Sequence, residues 1–234
     1  MADLLPNLKP LKGVYPPYVL LTDCYIVEDD PDAPSPNTTT LRFSNGVANV
    51  GNGPLEVVRG PESGGSRGRR RRTKRTAPAI QRIYQDDGTH VEHKAGKFTY
   101  HEEHGHWHFD GFSSFELLDS NGTEIVKSKK QAFCMIDVVR VSRRVGGPTS
   151  PQYFGDGCQE ARIEGISVGW ADVYWADLPG QYIDITDVDS GIYWVRSISN
   201  PEKLLKELDG NNSSVQIRIQ INKENNRVKI LRSS

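Results

Sequence analysis

The sequence is a succession of short runs rich in β-branched and aromatic residues, separated by residues that favour turns. Such runs are typical of β-strands, because branched and aromatic side chains pack well on a pleated surface. The runs are Tyr18–Val27, Thr40–Phe43, Val47–Val50, Ala79–Tyr84, Lys97–Tyr100, Ser113–Leu118, Glu124–Lys127, Ala132–Val139, Ile166–Tyr174, Tyr182–Val188, Gly191–Ile198, Val215–Ile221 and Arg227–Leu231. They predict an all-β protein, and we expect a single β-sandwich with long loops.

Four clusters of turn-forming residues separate strands that we expect to be close together. They are Ser44–Gly46, Asp86–Gly88, Ser120–Gly122 and Glu224–Asn226. The first of them contains Asn-Gly, which is a strong hairpin signal. We therefore expect a hairpin between the runs Thr40–Phe43 and Val47–Val50.

Only one segment is typical of a helix. Asn200 is suited to its N-cap and Pro201 to its first position, and Leu204, Leu205 and Leu208 form one apolar stripe. The sequence has no internal repeat and no clear linker. We therefore expect one domain over residues 1–234, with one short helix.

A basic segment, residues 60–76, differs from the rest of the chain because it is rich in glycine and serine and then in arginine. We expect an exposed loop, with a polyanion-binding patch or a protease site as the alternatives. The whole chain has a formal net charge of only −1, so nucleic acid is not expected as a partner. No run approaches the roughly 20 apolar residues of a membrane helix, so no membrane is expected either.

All six histidines of the chain lie between His90 and His108. If residues 104–108 form a strand, the side chains of His104, His106 and His108 point to the same face. Three imidazoles on one face can hold a copper or zinc ion and leave a coordination position open. His101 falls outside this alternation and can join only if the chain turns between positions 101 and 104.

Two kinds of metal chemistry are compatible with this cluster. A mononuclear zinc hydrolase would use Glu102 or Glu103 as its base, although the pattern from His101 to His104 is not H-E-x-x-H. Copper suits an all-imidazole ligand set, and its redox chemistry usually needs a second electron carrier. A metal-binding β-sandwich without catalysis is a third interpretation.

The histidine cluster belongs to an ordered series of motifs that resembles the catalytic domain of the lysyl oxidase family, in its cysteine-poor, microbial-type form. The resemblance covers about Ala79 to Ile221. Its motifs are H-x-x-H-x-H-x-H at His101–His108, then Phe112–Ser113, Phe115–Asp119, Lys130–Cys134, Gly165–Trp170, Tyr174, Gln181–Val188, Asn200–Pro201 and Asn211–Asn212.

The resemblance implies a copper amine oxidase that carries lysine tyrosylquinone, a cofactor made from its own side chains. The metal ligands carry over to His104, His106 and His108. The quinone precursors carry over to Lys130 and Tyr174. The implied reaction oxidises peptidyl lysine or another primary amine with O2, and it releases an aldehyde, ammonia and hydrogen peroxide.

Without the motifs around them, neither Lys130 nor Tyr174 would be identified as a functional residue. Lys130 lies in a local cluster of lysines, and a lone strand tyrosine is more often half-buried than catalytic. The implied chemistry also needs a base, for which a carboxylate is expected. Asp184 and Asp187 are both candidates, and the sequence does not choose between them.

The cysteine content separates this chain from the cysteine-rich animal members of the family. The chain has three cysteines, of which Cys134 and Cys158 are candidates for a disulfide, leaving Cys24 over. The first residues lack the features of a signal peptide, which fits either a cytosolic protein or a mature secreted form. The resemblance favours the secreted form.

Overall fold

Antiparallel pairing organises nearly all regular structure in the computed structural model. The structure describes residues 1–15, 18–63, 74–102, 105–128, 131–142, 145–211 and 213–231, without the side chains of Tyr18, Gln131 and Ala132. The strands of this part of the chain are β1 (Asp3–Leu4), β2 (Leu8–Pro10), β3 (Gly13–Tyr15), β4 (Tyr18–Leu20), β5 (Tyr25–Val27), β6 (Thr40–Arg42), β7 (Asn45–Asn49), β8 (Leu55–Arg59), β9 (Thr76–Gln85), β10 (His90–His101), β11 (His106–Leu118), β12 (Glu124–Lys127), β13 (Gln131–Phe133), β14 (Val139–Arg140), β15 (Ile163–Ile166), β16 (Trp170–Tyr174), β17 (Tyr182–Asp184), β18 (Gly191–Ser199), β19 (Ser214–Asn222) and β20 (Arg227–Leu231).

One large sheet is covered by smaller ones, which confirms the predicted all-β sandwich. The large sheet has the order β15-β8-β9-β10-β11-β18-β19-β20, with β1 on β9 and with β12 and β13 on β11. The smaller sheets are β14-β16-β7-β2, β17-β6-β5 and β3-β4. Between the layers, the ring of Phe43 beside β6 meets the ring of Phe115 on β11 edge to face, with centroids 4.9 Å apart. Both rings are fully buried.

Three of the four turn clusters lie where the sequence predicts. Residues 86–88 join β9 to β10, residues 120–122 join β11 to β12, and residues 223–226 join β19 to β20. The hairpin predicted at Ser44–Gly46 is wrong. Asn45 and Gly46 belong to β7, which pairs with β16 and β2, whereas β6 pairs with β5 and β17. The chain passes here from one sheet to another, a choice made by packing and not by the local Asn-Gly signal.

The predicted helix at Asn200–Leu208 is also wrong, because turns and bends occupy this segment. Side chains form hydrogen bonds with main-chain groups of this segment, in place of the main-chain hydrogen bonds of a helix. Asn200 donates to the Leu205 carbonyl at 2.8 Å and accepts the Leu205 N–H at 3.1 Å, while Gln81 bonds both polar groups of the Lys206 main chain. Asn200 and Lys203 have φ values of 46° and 54°, which an α-helix does not allow.

The short helix lies elsewhere. Within the described residues, the regular helical structure is a 3₁₀ helix at Gly155–Cys158. No helix in the same residues is long and apolar enough to cross a bilayer.

Candidate metal and tyrosine site

The histidine cluster is the tip of the hairpin formed by β10 and β11. Strand β10 ends at His101, the chain turns, and β11 begins at His106. The Gly105 N–H closes the turn by donating to the His101 carbonyl at 2.8 Å. His101 lies opposite His106 in the ladder, and Thr99 lies opposite His108. Because directly opposed residues share a face, His101, His106 and His108 all point to one side of the hairpin.

The imidazole rings of these three residues are in contact. The Nε2 atoms of His106 and His108 are 2.8 Å apart, and the ring centroids of His101 and His108 are separated by 4.4 Å. His108 is only 6% exposed, and the other two rings are half-buried. Two nitrogens at this separation can both reach one metal ion at the usual distance of about 2.0–2.1 Å. The turn after His101 thus brings this histidine beside the other two, the condition that the sequence left open.

The described residues offer no complete set of three ligands at this place. In the part of the chain that the structure describes, the group of three metal-ligating side chains whose donor atoms converge within 4.8 Å is Cys134, Cys158 and Glu164. Its two sulfurs are joined in a disulfide, so this group does not bind a metal. His104, the third histidine of the predicted ligand set, lies outside the described residues.

Tyr174, the predicted quinone precursor, ends β16 and has its hydroxyl enclosed in the protein. The hydroxyl accepts the Cys134 N–H at 2.7 Å and donates to the Cys134 carbonyl at 2.9 Å. The ring meets the Phe133 ring edge to face, with centroids 4.1 Å apart. Burial raises the pKa of the Tyr174 hydroxyl well above its usual value, and the carboxylates of Asp172 and Glu164 raise it further. The group is therefore a neutral phenol at physiological pH.

The predicted disulfide between Cys134 and Cys158 is confirmed. It ties the segment that binds the Tyr174 hydroxyl to the 3₁₀ helix at Gly155–Cys158. Cys24 is a free thiol that donates to the Leu21 carbonyl at 3.1 Å.

One cavity joins the histidines to the tyrosine. It has a volume of about 450 Å³ and opens between β11, β13 and β16. Its lining comprises His106, His108, Phe133, Cys134, Ile136, Asp172, Val173, Tyr174, Leu178, Pro179 and Gln181. The structure thus brings His106 and His108 together with Tyr174, although 66 positions separate His108 from Tyr174 in the sequence. Lys130 lies outside the described residues.

Comparison with known proteins identifies the family of the chain. Residues 66–231 match the lysyl oxidase family. The chain belongs to that family. It is 34% identical over 126 residues to lysyl oxidase homolog 3 of Homo sapiens, which is 53% of this chain and 16% of that protein. It is 33% identical over 128 residues to lysyl oxidase homolog 2 of Xenopus tropicalis, again 53% of this chain and 16% of that protein. The chain therefore spans about a sixth of the length of these curated relatives.

The two aspartates that the sequence offered as bases are not at this site. In this member of the lysyl oxidase family, Asp184 and Asp187 are exposed and line a different cavity of about 650 Å³, beside Lys127. Sequence reasoning instead missed Asp172, which lines the cavity of His106 and Tyr174. A charged residue inside the otherwise apolar run of β16, two positions before Tyr174, was the available signal.

A buried ion pair holds the loop that forms one rim of the cavity. Arg42 binds the Asp30 carboxylate at 2.7 and 2.8 Å, and it donates to the carbonyls of Ala176 at 3.1 Å and Leu178 at 3.3 Å. Burial opposes ionisation of Asp30, but hydrogen bonds from Arg42 and Thr40 outweigh it and lower the pKa of Asp30 to about 2. The position of the rim therefore depends on a charged network behind the cavity.

Proposed function

We propose that this chain is a copper- and quinone-dependent amine oxidase that converts peptidyl lysine or another primary amine to an aldehyde, with release of ammonia and hydrogen peroxide. His104, His106 and His108 would hold the copper ion. Lys130 and Tyr174 would supply the lysine tyrosylquinone. O2 would be the final oxidant. Membership of the lysyl oxidase family supports amine oxidation in general.

The observation that carries the proposal is the shared cavity of His106, His108 and Tyr174. A metal ion held by the two imidazoles would face the same space as the tyrosine ring. The converging Nε2 atoms, 2.8 Å apart, fit such an ion, and imidazole is a good ligand for copper. Oxidation of a tyrosine by a metal centre requires this proximity, and a tyrosine in an unrelated structural role would not need it.

The residues of the cavity have distinct roles in this proposal. The hydrogen bonds to Cys134 fix the Tyr174 ring, and the apolar side chains of Phe133, Ile136 and Leu178 provide walls for the carbon chain of the amine. When formed, the quinone would supply an electrophilic carbonyl and an electron sink for amine oxidation. The protein supplies position, exclusion of water and proton transfer.

The disulfide and the N-terminal strands support two further parts of the proposal. Disulfides persist in oxidising compartments, so the Cys134–Cys158 bond supports a secreted protein. Strand β1 pairs with β9, and β2 pairs with β7, so the first residues are part of the same sheets as the site. We therefore keep the single domain over residues 1–234 as our proposal. Most of the basic segment 60–76, residues 64–73, lies outside the described residues, and its exposure stays a prediction.

Peptide mass spectrometry of the copper-loaded protein tests the proposal. A covalent Lys130–Tyr174 peptide pair with the mass of the quinone is expected after exposure to O2, together with peroxide release on addition of a primary amine. Lys130→Arg should abolish both, whereas the neighbouring Lys129→Arg should retain both. Separate peptides and no peroxide would instead support a metal-binding module. Amide or ester hydrolysis without O2 would support a zinc hydrolase.

A further inference from the structure

Asp172 is a buried carboxyl group in the wall of the cavity that contains the histidines and Tyr174. It is 2% exposed. Asp172 and Tyr174 are two positions apart on β16, so their side chains lie on the same face of the strand. The carboxyl group and the phenol therefore face the same space.

The Asp172 carboxylate has no hydrogen-bond partner in the described part of the chain. Neither of its oxygens accepts a hydrogen bond there. The N–H groups of Val173 and Ile136 are near enough to favour the charged form, without reaching hydrogen-bond geometry. Burial raises the pKa of Asp172 well above its usual value, and the neighbouring carboxylate of Asp137 raises it further.

A purely structural aspartate would be expected to have partners. Asp137, which is also buried, accepts hydrogen bonds from the Ser167 N–H at 2.8 Å, the Ser167 hydroxyl at 2.6 Å and the Gln152 N–H at 2.8 Å. Leaving a buried polar group without such partners costs about 1–3 kcal/mol. An unpartnered carboxyl in a cavity wall therefore calls for a functional explanation.

We infer that Asp172 accepts the proton that is removed from the substrate during amine oxidation, an inference that rests on the proposed function. In this step the C–H bond on the carbon next to the amine nitrogen breaks, and its proton bonds to a carboxylate oxygen of Asp172. The electron pair of that bond would reduce the quinone by two electrons, and water would hydrolyse the resulting C=N bond to release the aldehyde and, in the end, ammonia. O2 would take up the two electrons with two protons to give hydrogen peroxide.

The environment of Asp172 suits a base of this kind. A general base works best when its pKa lies near the working pH, which an ordinary exposed aspartate does not achieve. A metal cation at the neighbouring histidines would favour the charged, proton-accepting form once the site is loaded. Asp184 and Asp187 line a different cavity, and Glu164 is not in the lining of the cavity that contains His106 and Tyr174.

Steady-state kinetics on Asp172→Asn test the inference, with Asp184→Asn as the matched control. The substrate is a small primary amine and its form with deuterium on the carbon next to nitrogen. We expect kcat to fall by about 10²–10⁴-fold with little change in KM, the range typical of a lost general base. The deuterium isotope effect on kcat should increase, and Asp172→Glu should restore part of the rate. A rise in KM alone, or a kcat within a few-fold of wild type, would overturn the inference.

A second measurement does not depend on turnover. In infrared spectra of the metal-free protein at neutral pH, Asp172→Asn should remove a carbonyl band of a protonated carboxyl group, whereas a band from the buried Glu164, whose pKa burial also raises, should remain. The same band intensity in the wild type and in Asp172→Asn would overturn the inference even if the wild type oxidises amines. Failure of the wild type to form the Lys130–Tyr174 crosslink would instead overturn the proposed function, and Asp172 would then have no substrate proton to accept.

Discussion

The Tyr174 hydroxyl is hydrogen-bonded on both sides to the main chain of one residue, Cys134. Because Tyr174→Phe removes the hydroxyl, it leaves a buried N–H and a carbonyl without their partner. We expect a loss of about 1–3 kcal/mol in the free energy of unfolding, measured by urea denaturation. Tyr193→Phe is the control, because the Tyr193 hydroxyl bonds the Asp189 carbonyl at an exposed position. Equal losses of unfolding free energy in the two variants would mean that the buried hydrogen bonds of Tyr174 stabilise the fold no more than an exposed one.

The disulfide should stabilise both the fold and the position of Tyr174. The loop-entropy relation gives about 3 kcal/mol for a loop of this length, so we expect Cys158→Ser to lower the free energy of unfolding by about that amount. The Cys134 main chain should also loosen, which would make Tyr174 more reactive toward tetranitromethane. Cys24→Ser removes a free thiol and serves as control. Unchanged nitration of Tyr174 after loss of the disulfide would argue against this coupling.

The contact between the imidazoles of His106 and His108 predicts that both contribute to copper binding. His106→Ala and His108→Ala should each weaken copper binding by more than about tenfold, since even loss of an indirect contact to a metal ligand typically costs 10–100-fold. Affinity should also fall in acid, because an imidazole must be neutral to bind a metal. A competitive chelator titration measures both effects. His90→Ala, which changes an exposed histidine on β10, should bind copper as the wild type does.

The Asp30–Arg42 pair predicts a loss of stability in acid. The pKa of Asp30 is about 2 in the folded protein and about 3.9 in an unfolded chain. Since the folded value is the lower one, the pair contributes its stability above about pH 4 and loses it as the pH falls toward 2. Thermal unfolding across this range should show a steeper loss in the wild type than in Asp30→Asn.

The same pair can be tested at neutral pH. Asp30→Asn leaves the buried guanidinium of Arg42 without its main counter-charge, and we expect a cost of about 3–5 kcal/mol. The pair between Arg75 and Glu62 is a suitable comparison, because both side chains are more than a third exposed. Glu62→Gln should cost no more than about 1 kcal/mol. A similar cost for both substitutions would mean that burial does not strengthen the Asp30–Arg42 pair.

Turn residues in the sequence correctly predicted the turns whose hydrogen bonds come from neighbouring residues. The turn at Asp86–Gly88 forms as predicted, because neighbouring residues satisfy it: Gly88 donates to the Gln85 carbonyl at 3.0 Å. The same kind of signal failed at Ser44–Gly46, where pairing with β16 and β2 draws Asn45 and Gly46 into a strand of another sheet. At Asn200–Leu208 the leucine spacing resembled a helix. Tertiary contacts from Gln81 and the Asn200 side chain stabilise a loop there instead.

The sequence by itself determined the all-β character of the chain and the common face of His106 and His108, because both follow from the two-residue period of a strand. Only the tertiary structure decided which residues meet those histidines. His106 and His108 lie in the large sheet, whereas Asp172 and Tyr174 lie in a smaller one. The approach of two sheets depends on long-range pairing and core packing, which no local spacing encodes. For that reason the sequence offered Asp184 and Asp187, and the fold placed Asp172 at the site.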